Sequence, residues 1–213
     1  PERGLVSPAE FIPLAEQSVL ICELGAAVLE RACRDLSNLS GRGRRTGDYD
    51  LYVNLSPRQV ERLERVDELE AIAERELPEW MELYFEVTET ELLKHQSNVA
   101  RLREDGFQIL VDDFGTGYSS LSRLKEMPVD GLKLDMEFVH GVTEGGADAA
   151  IAETVAELGL RLDVPVVAEG IETEEQLEFL QQTECYSGQG YYLARPQPIE
   201  QLYELLTSDE SHN

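Results

Sequence analysis

The chain has 213 residues, 42% hydrophobic and 29% charged, the composition of one globular domain with enough apolar material for a core. Its 18 basic and 43 acidic residues leave a formal net charge of −25, which excludes non-specific attraction to nucleic acid polymers or to anionic membrane surfaces. No apolar run approaches the roughly 18 residues a membrane span needs and no signal peptide is visible. Cys22, Cys33 and Cys185 match no zinc spacing and read as buried free thiols of a reducing, cytoplasmic compartment.

Taken in chain order, Ser7-Pro8-Ala9-Glu10 has the pattern of a capping box with proline at the first helical position. A helical pattern follows, broken near Pro13 and resuming to about Ser37, with Val19, Leu20, Cys22, Leu24, Ala27, Val28, Leu29 and Ala32 at helical spacing. The Arg-rich stretch Gly41 to Gly47 reads as an exposed loop. From there β-rich runs at 49–55, 82–88, 108–114, 131–136, 164–169 and 188–193 alternate with helical stretches at 57–75, 89–104, 118–126, 147–162, 173–182 and 198–207. Thr173 to Gln176 reads as a second capping box. Strand–helix–strand alternation predicts a parallel α/β sheet with crossover helices. A closed eight-stranded barrel short of its first two strands is favoured over an open doubly wound sheet, because no Gly-rich fingerprint follows the first strand.

Strand side chains alternate between faces, so each run can be divided. Leu51, Val53 and Leu55 oppose Tyr52 and Asn54; Leu83, Phe85 and Val87 oppose Tyr84 and Glu86; Ile109 and Val111 oppose Leu110 and Asp112. Leu132 and Leu134 oppose Gly131, Lys133 and Asp135; Val166 and Ala168 oppose Val167 and Glu169; Gln189 and Tyr191 lie together. One face of each run is apolar, fit to pack against helices. The other carries a polar residue near its C-terminal end: Asn54, Glu86, Asp112, Lys133, Glu169 and Gln189. In a barrel these converge on the mouth, where such enzymes keep their active sites.

Gathered there, Glu86, Asp112, Asp113 and Glu169 would lie within several ångströms of one another. Two like charges about 4 Å apart repel by roughly 4 kcal/mol at an effective dielectric of about 20, and a single Lys133 cannot neutralise four carboxylates. Such a cluster takes up protons or binds cations. The donors are all oxygens, which favours Mg²⁺ or Mn²⁺ over Zn²⁺, and adjacent Asp112 and Asp113 allow a two-metal site suited to attack of water on a phosphodiester. Lys133 has two readings: a salt bridge to a carboxylate, or a group that orients or deprotonates the attacking water. Gly115 to Ser120 likewise reads either as a lid or as a helix-entry turn that needs glycine. No histidine sits in an arrangement that supports an acyl-transfer triad.

Phe11-Ile-Pro-Leu-Ala-Glu16, Asn54-Leu-Ser56, Glu86-Val-Thr-Glu89, Asp112-Asp-Phe-Gly-Thr-Gly-Tyr-Ser-Ser-Leu121, Leu132-Lys-Leu-Asp135, Ala168-Glu-Gly-Ile-Glu172, Gln189-Gly-Tyr191 and Arg195-Pro196 together resemble the EAL domain, in order and over nearly all of residues 1–213. The resemblance implies a (β/α)8 TIM-like barrel of the EAL type and hydrolysis of cyclic di-GMP to linear pGpG, supported by Mg²⁺ or Mn²⁺ and inhibited by Ca²⁺. It implies that Asn54, Glu86 and Asp112 hold one metal and Asp112, Asp113 and Glu169 the other. By the same carry-over Lys133 contacts the catalytic water, Gln189 is the site glutamine, and Glu89 anchors the loop after Asp113. Asp135, Arg195 and Pro196 fall at substrate-binding positions. A homodimer and upstream sensor or diguanylate cyclase (GGDEF) domains, in a larger soluble or membrane-attached signalling protein, are implied as well. The family's Glu-Ala-Leu motif is absent, and the chain is expected to start just after it. The alternative that follows is a catalytically inactive EAL domain that senses cyclic di-GMP and signals to a partner.

Overall fold

The computed structural model describes residues 6–40, 49–115 and 129–208. The loop read at Gly41 to Gly47, the residues after Gly115 read as a lid, and the helix read at 118–126 lie outside the described residues. The described residues form two compact units, 6–40 with 49–109, and 110–115 with 129–208.

The first unit runs α1 (Pro8–Glu16), α2 (Leu20–Ser40), β1 (Tyr49–Asn54), α3 (Pro57–Val60), α4 (Leu63–Glu76), β2 (Met81–Thr88), α5 (Glu89–Lys94) and α6 (Gln96–Glu104). β1 and β2 pair in parallel, from Tyr49 opposite Met81 to Asn54 opposite Glu86. The apolar faces read from the sequence are the buried ones: Val53, Leu83, Phe85 and Val87 join Leu29, Cys33, Val66, Leu69 and Leu102 in the core. Each large apolar side chain buried this way contributes about 1.5–3 kcal/mol.

Three helical expectations change here. Pro13 lies inside α1, and the break comes later, at 17–19. There the Ser18 hydroxyl donates to the Ala15 carbonyl (3.1 Å) and accepts from the Leu20 N–H (3.3 Å), closing one helix and opening the next. Ser7 is the N-cap of α1, but its side chain makes no cap hydrogen bond; the Glu10 N–H goes to the Ser7 carbonyl at 2.9 Å, so the capping box is not formed. The stretches read as single helices at 57–75 and 89–104 are each two. Arg62 is extended (φ −123°, ψ 122°) between α3 and α4, and His95 (φ −123°, ψ 34°) separates α5 from α6.

The second unit carries β3 (Gln108–Phe114), β4 (Gly131–Leu134), α7 (Met136–Gly141), a 3₁₀ turn (Val142–Glu144), α8 (Ala147–Leu162), β5 (Val166–Ala168), α9 (Glu174–Gln181), β6 (Ser187–Gly188) and α10 (Ile199–Ser208). β3, β4, β5 and β6 pair in that order, all parallel. Leu132, Leu134, Val166, Ala168 and Ile171 are buried within it. The Thr173–Gln176 box is formed as read: the Thr173 side chain accepts from the Gln176 N–H (3.3 Å), and Gln176 Oε1 accepts from the Thr173 N–H (3.0 Å). α7 was not anticipated; Asp135 caps it, accepting the Glu137 N–H at 2.6 Å.

The run read as a strand at 188–193 is overturned. β6 ends at Gly188, and the chain turns at Gly190, whose carbonyl accepts from both the Leu193 and the Ala194 N–H at 3.1 Å. The close approach of Gly190 to the Ile171 backbone explains the turn, since a Cβ there would overlap the Ile171 carbonyl and N–H. Tyr191 and Tyr192 are left exposed. Among the thiols, Cys22 and Cys33 are buried, while Cys185 is only half-buried.

Candidate active site

In the first unit, Asn54 ends β1 directly across from Glu86 on β2, and the Leu55 N–H donates to the Glu86 carbonyl at 2.9 Å. Asn54 is exposed, whereas Glu86 is 4% exposed despite its charge. Buried carboxylates are rare unless paired or poised to coordinate. Glu89, also buried, opens α5, where the Thr88 hydroxyl accepts from the Glu91 N–H at 3.5 Å.

In the second unit, Lys133 is 3% exposed, at the centre of β4. Its Nζ lies 3.0 Å from Asp112 Oδ1 and 2.5 Å from Glu169 Oε1. Gln189 Nε2 donates to the same Glu169 oxygen at 2.7 Å. Asp112, Lys133, Glu169 and Gln189, from four successive parallel segments, are thus brought into one connected network. The salt-bridge reading of Lys133 is realised, with two carboxylates rather than one.

Strict strand alternation would send Asp112 and Asp113 to opposite faces. The backbone departs from it: Asp113 is left-handed (φ 56°), and the β3–β4 register shifts between Val111 and Phe114. Bulges of this kind re-aim side chains beside functional sites. Burial, then the nearby Asp112 charge, then Asp135 and Glu169 push the Asp113 carboxyl up to about 6. The sequence gives no periodic signal for such a bulge, although Asp tolerates φ > 0 better than most residues.

A cavity of about 600 Å³ adjoins this network, lined by Glu169, Gln189, Glu172, Tyr191, Arg195 and Pro196 among others. The Arg195 guanidinium lies 4.5 Å from the centre of the Tyr191 ring. Of the lining side chains, Glu172 was not singled out from the sequence; its place three residues after Glu169 was the available signal. The loop carrying Glu169 to Glu172 and the loop carrying Gln189 to Tyr192 are joined through their backbones. The Gln189 N–H donates to Ala168 (2.8 Å), Ile171 to Gln189 (3.1 Å) and Tyr192 to Ile171 (2.9 Å). Gly170, with φ +71°, supplies the left-handed step between them.

Among the described residues, no three Asp, Glu, His or Cys side chains already form a cage for a metal ion. The donor chemistry nevertheless fits a hard divalent cation. Asp112, Asp113 and Glu169 are oxygen donors crowded enough to push a carboxyl upward, and one ammonium meets two of them. Added positive charge would relieve that excess.

A family model described as the EAL domain matches residues 1–196. The bifunctional diguanylate cyclase/cyclic di-GMP phosphodiesterase MucR of Pseudomonas aeruginosa is 40% identical over 206 residues, 95% of this chain and 30% of MucR. The cyclic di-GMP phosphodiesterase NbdA of the same organism is 39% identical over 210 residues, 97% of this chain and 27% of NbdA. The chain therefore spans less than a third of either protein. Among solved structures, the MucR phosphodiesterase in complex with c-di-GMP matches with a TM-score of 0.86 at 40% identity, covering 95% of this chain and 83% of that one. The EAL domain of Mycobacterium smegmatis DcpA matches with a TM-score of 0.78 at 33% identity, covering 89% and 86%.

Proposed function

We infer the function from one premise, that the chain belongs to the EAL domain family and has its TIM-like α/β fold: it hydrolyses cyclic di-GMP to linear pGpG. The observation that supports this reading is the Asp112–Lys133–Glu169–Gln189 network, in which a buried ammonium meets two carboxylates beside an amide, the residue types this chemistry needs.

In the proposed reaction a water oxygen adds to one phosphorus of the cyclic dinucleotide. The bond from that phosphorus to a ribose 3′ oxygen breaks, and that oxygen leaves with a proton. Asn54, Glu86, Asp112, Asp113 and Glu169 would hold two divalent ions, Mg²⁺ or Mn²⁺. When bound, such ions neutralise charge on the phosphoryl oxygens and lower the pKa of water. Lys133, freed from part of its carboxylate pairing, orients the attacking water through its ammonium protons. Gln189 fixes the rotamer of Glu169 by its 2.7 Å amide hydrogen bond. The cavity beside Glu169 receives part of the nucleotide; Arg195 is the cation among its lining residues and draws the substrate's negative charge toward a chain of net charge −25. The native assembly is a homodimer, and the domain works within a longer signalling protein. Among the described residues, no helix is long and apolar enough to cross a membrane.

The test is to incubate the protein with cyclic di-GMP and Mg²⁺ or Mn²⁺ and to follow pGpG by chromatography. Turnover abolished by a chelator and restored by either ion is the expected result. Binding of the nucleotide with no pGpG under any divalent ion would overturn the enzymatic reading in favour of a cyclic di-GMP sensor.

A further inference from the structure

Two glutamines, Gln59 and Gln176, are among the buried polar side chains of the described residues, at 3% and 5% exposed. They share one local setting. Each is the third residue of a helix whose N-cap is Ser or Thr, Ser56 for α3 and Thr173 for α9. Each helix directly follows a segment that presents a site residue: Asn54 to Ser56 in the first unit, Glu169 to Thr173 in the second. Both glutamines turn the side-chain oxygen back onto that segment. Gln59 Oε1 accepts from the Ser56 N–H (3.1 Å) and from the Ser56 hydroxyl (2.9 Å). Gln176 Oε1 accepts from the Thr173 N–H (3.0 Å) and, closer still, from the Glu172 N–H (2.7 Å). A backbone N–H only donates, so it is the amide oxygen that faces each segment.

A capping box ordinarily serves the helix it opens. Here α3 is a single turn of four residues, too short to be worth stabilising for its own sake. In the second unit the shorter bond reaches past the box to Glu172, whose side chain lines the cavity. Each segment is also held from another side: the Leu55 N–H donates to the Glu86 carbonyl (2.9 Å), and the Ile171 N–H to the Gln189 carbonyl (3.1 Å). The backbone just beyond Asn54, and that just beyond Glu169, is therefore gripped both by a neighbouring segment and by a buried glutamine. Gly25 of α2 leaves room for the first grip, since a Cβ there would overlap the Gln59 amide. We propose that Gln59 and Gln176 are positioning residues, each fixing the backbone that presents a candidate metal ligand, Asn54 in the first unit and Glu169 in the second. The inference rests on the proposed metal-dependent hydrolysis. Partners that orient metal ligands in this way typically cost about 10–100-fold in metal affinity or activity when removed.

The experiment compares the parent protein with Gln59→Ala and Gln176→Ala, and with Gln59→Glu and Gln176→Glu, whose carboxylate oxygen can accept the same bonds. Leu69→Ala on α4 and Val155→Ala on α8, core truncations on helices that carry no site residue, are the controls for lost stability. Hydrogen exchange in the metal-free proteins is read at the Ser56, Glu172 and Thr173 backbone amides. The alanine variants are expected to lose protection there by roughly tenfold, the worth of one hydrogen bond, and the glutamate variants to keep it. The kcat for cyclic di-GMP hydrolysis, measured below the onset of unfolding, is expected to fall about 10–100-fold in each alanine variant, to recover with glutamate and to hold in both controls. Protection or kcat left at the parent value in an alanine variant overturns the proposal. So does a fall in kcat that glutamate does not restore, or that the controls share. A parent protein that makes no pGpG overturns the proposed reaction instead, and the exchange rates alone then support or overturn the grip of the two glutamines.

Discussion

At the scale of single residues, Lys133 is the hub of the network in the second unit. Its ammonium is buried and satisfied by two carboxylates, which is the arrangement that keeps a buried charge tolerable. Lys133→Met keeps the length of the stem and removes the charge, leaving Asp112 and Glu169 to repel each other. Misplacing a reacting group by about 1 Å can cost about 10²-fold, so on the proposed water-orienting role we expect kcat for cyclic di-GMP hydrolysis to fall by about 10²-fold. Nucleotide binding, measured by calorimetry with Ca²⁺ in place of the activating ion, should change far less. An equal loss in binding would make Lys133 a substrate ligand instead.

At the scale of elements, the close approach of the β6 loop to the segment after β5 is the feature most exposed to mutation. Gly190→Ala puts a methyl group against the Ile171 backbone, where no flexible side chain can yield. Overpacking of this kind costs about 1–3 kcal/mol. Denaturant unfolding should show that loss, and activity should fall as Gln189 moves from Glu169. These elements also show what the sequence could and could not disclose. The strands of β1 to β5 were legible as short β-rich runs between helical stretches; in β2 the face of Leu83, Phe85 and Val87 is buried as its period-two pattern says, but Glu86 on the other face is buried too, and β4 and β5 are covered on both faces. The network membership of Asp112 and Lys133 was legible from the alternation along β3 and β4, whereas Glu169 and Gln189 join it from just beyond the ends of β5 and β6. The 188–193 run was misread because aromatic, β-prone residues follow Gly190, and propensity carries no information about a backbone packed against Ile171. The helix breaks at Arg62 and His95 escaped because neither is glycine or proline. The bulge at Asp113 escaped because alternation cannot announce its own failure.

At the scale of the whole molecule, the net charge of −25 is the dominant fact. Many of the basic side chains are occupied in surface pairs, such as Arg31 with Asp35 and Arg161 with Glu157, both at 2.6 Å. Exposed pairs of this sort add little each and leave most of the acidic surface unbalanced. Self-repulsion on that scale destabilises a compact state and is screened by salt, with a Debye length of about 10 Å at 0.1 M and about 3 Å at 1 M. Thermal unfolding followed by circular dichroism should therefore show Tm rising with NaCl across that range. A Tm that fell with salt would mean that attractive pairs outweigh the repulsion.

The backbone hydrogen bonds linking Ala168, Ile171, Gln189 and Tyr192 carry one more consequence. Neither loop holds its shape alone, since each supplies the other's donors and acceptors. They behave as a cassette. In a chimera with a relative, transplanting one without the other would pair mismatched halves, whereas moving both together should carry the rim of the cavity across intact.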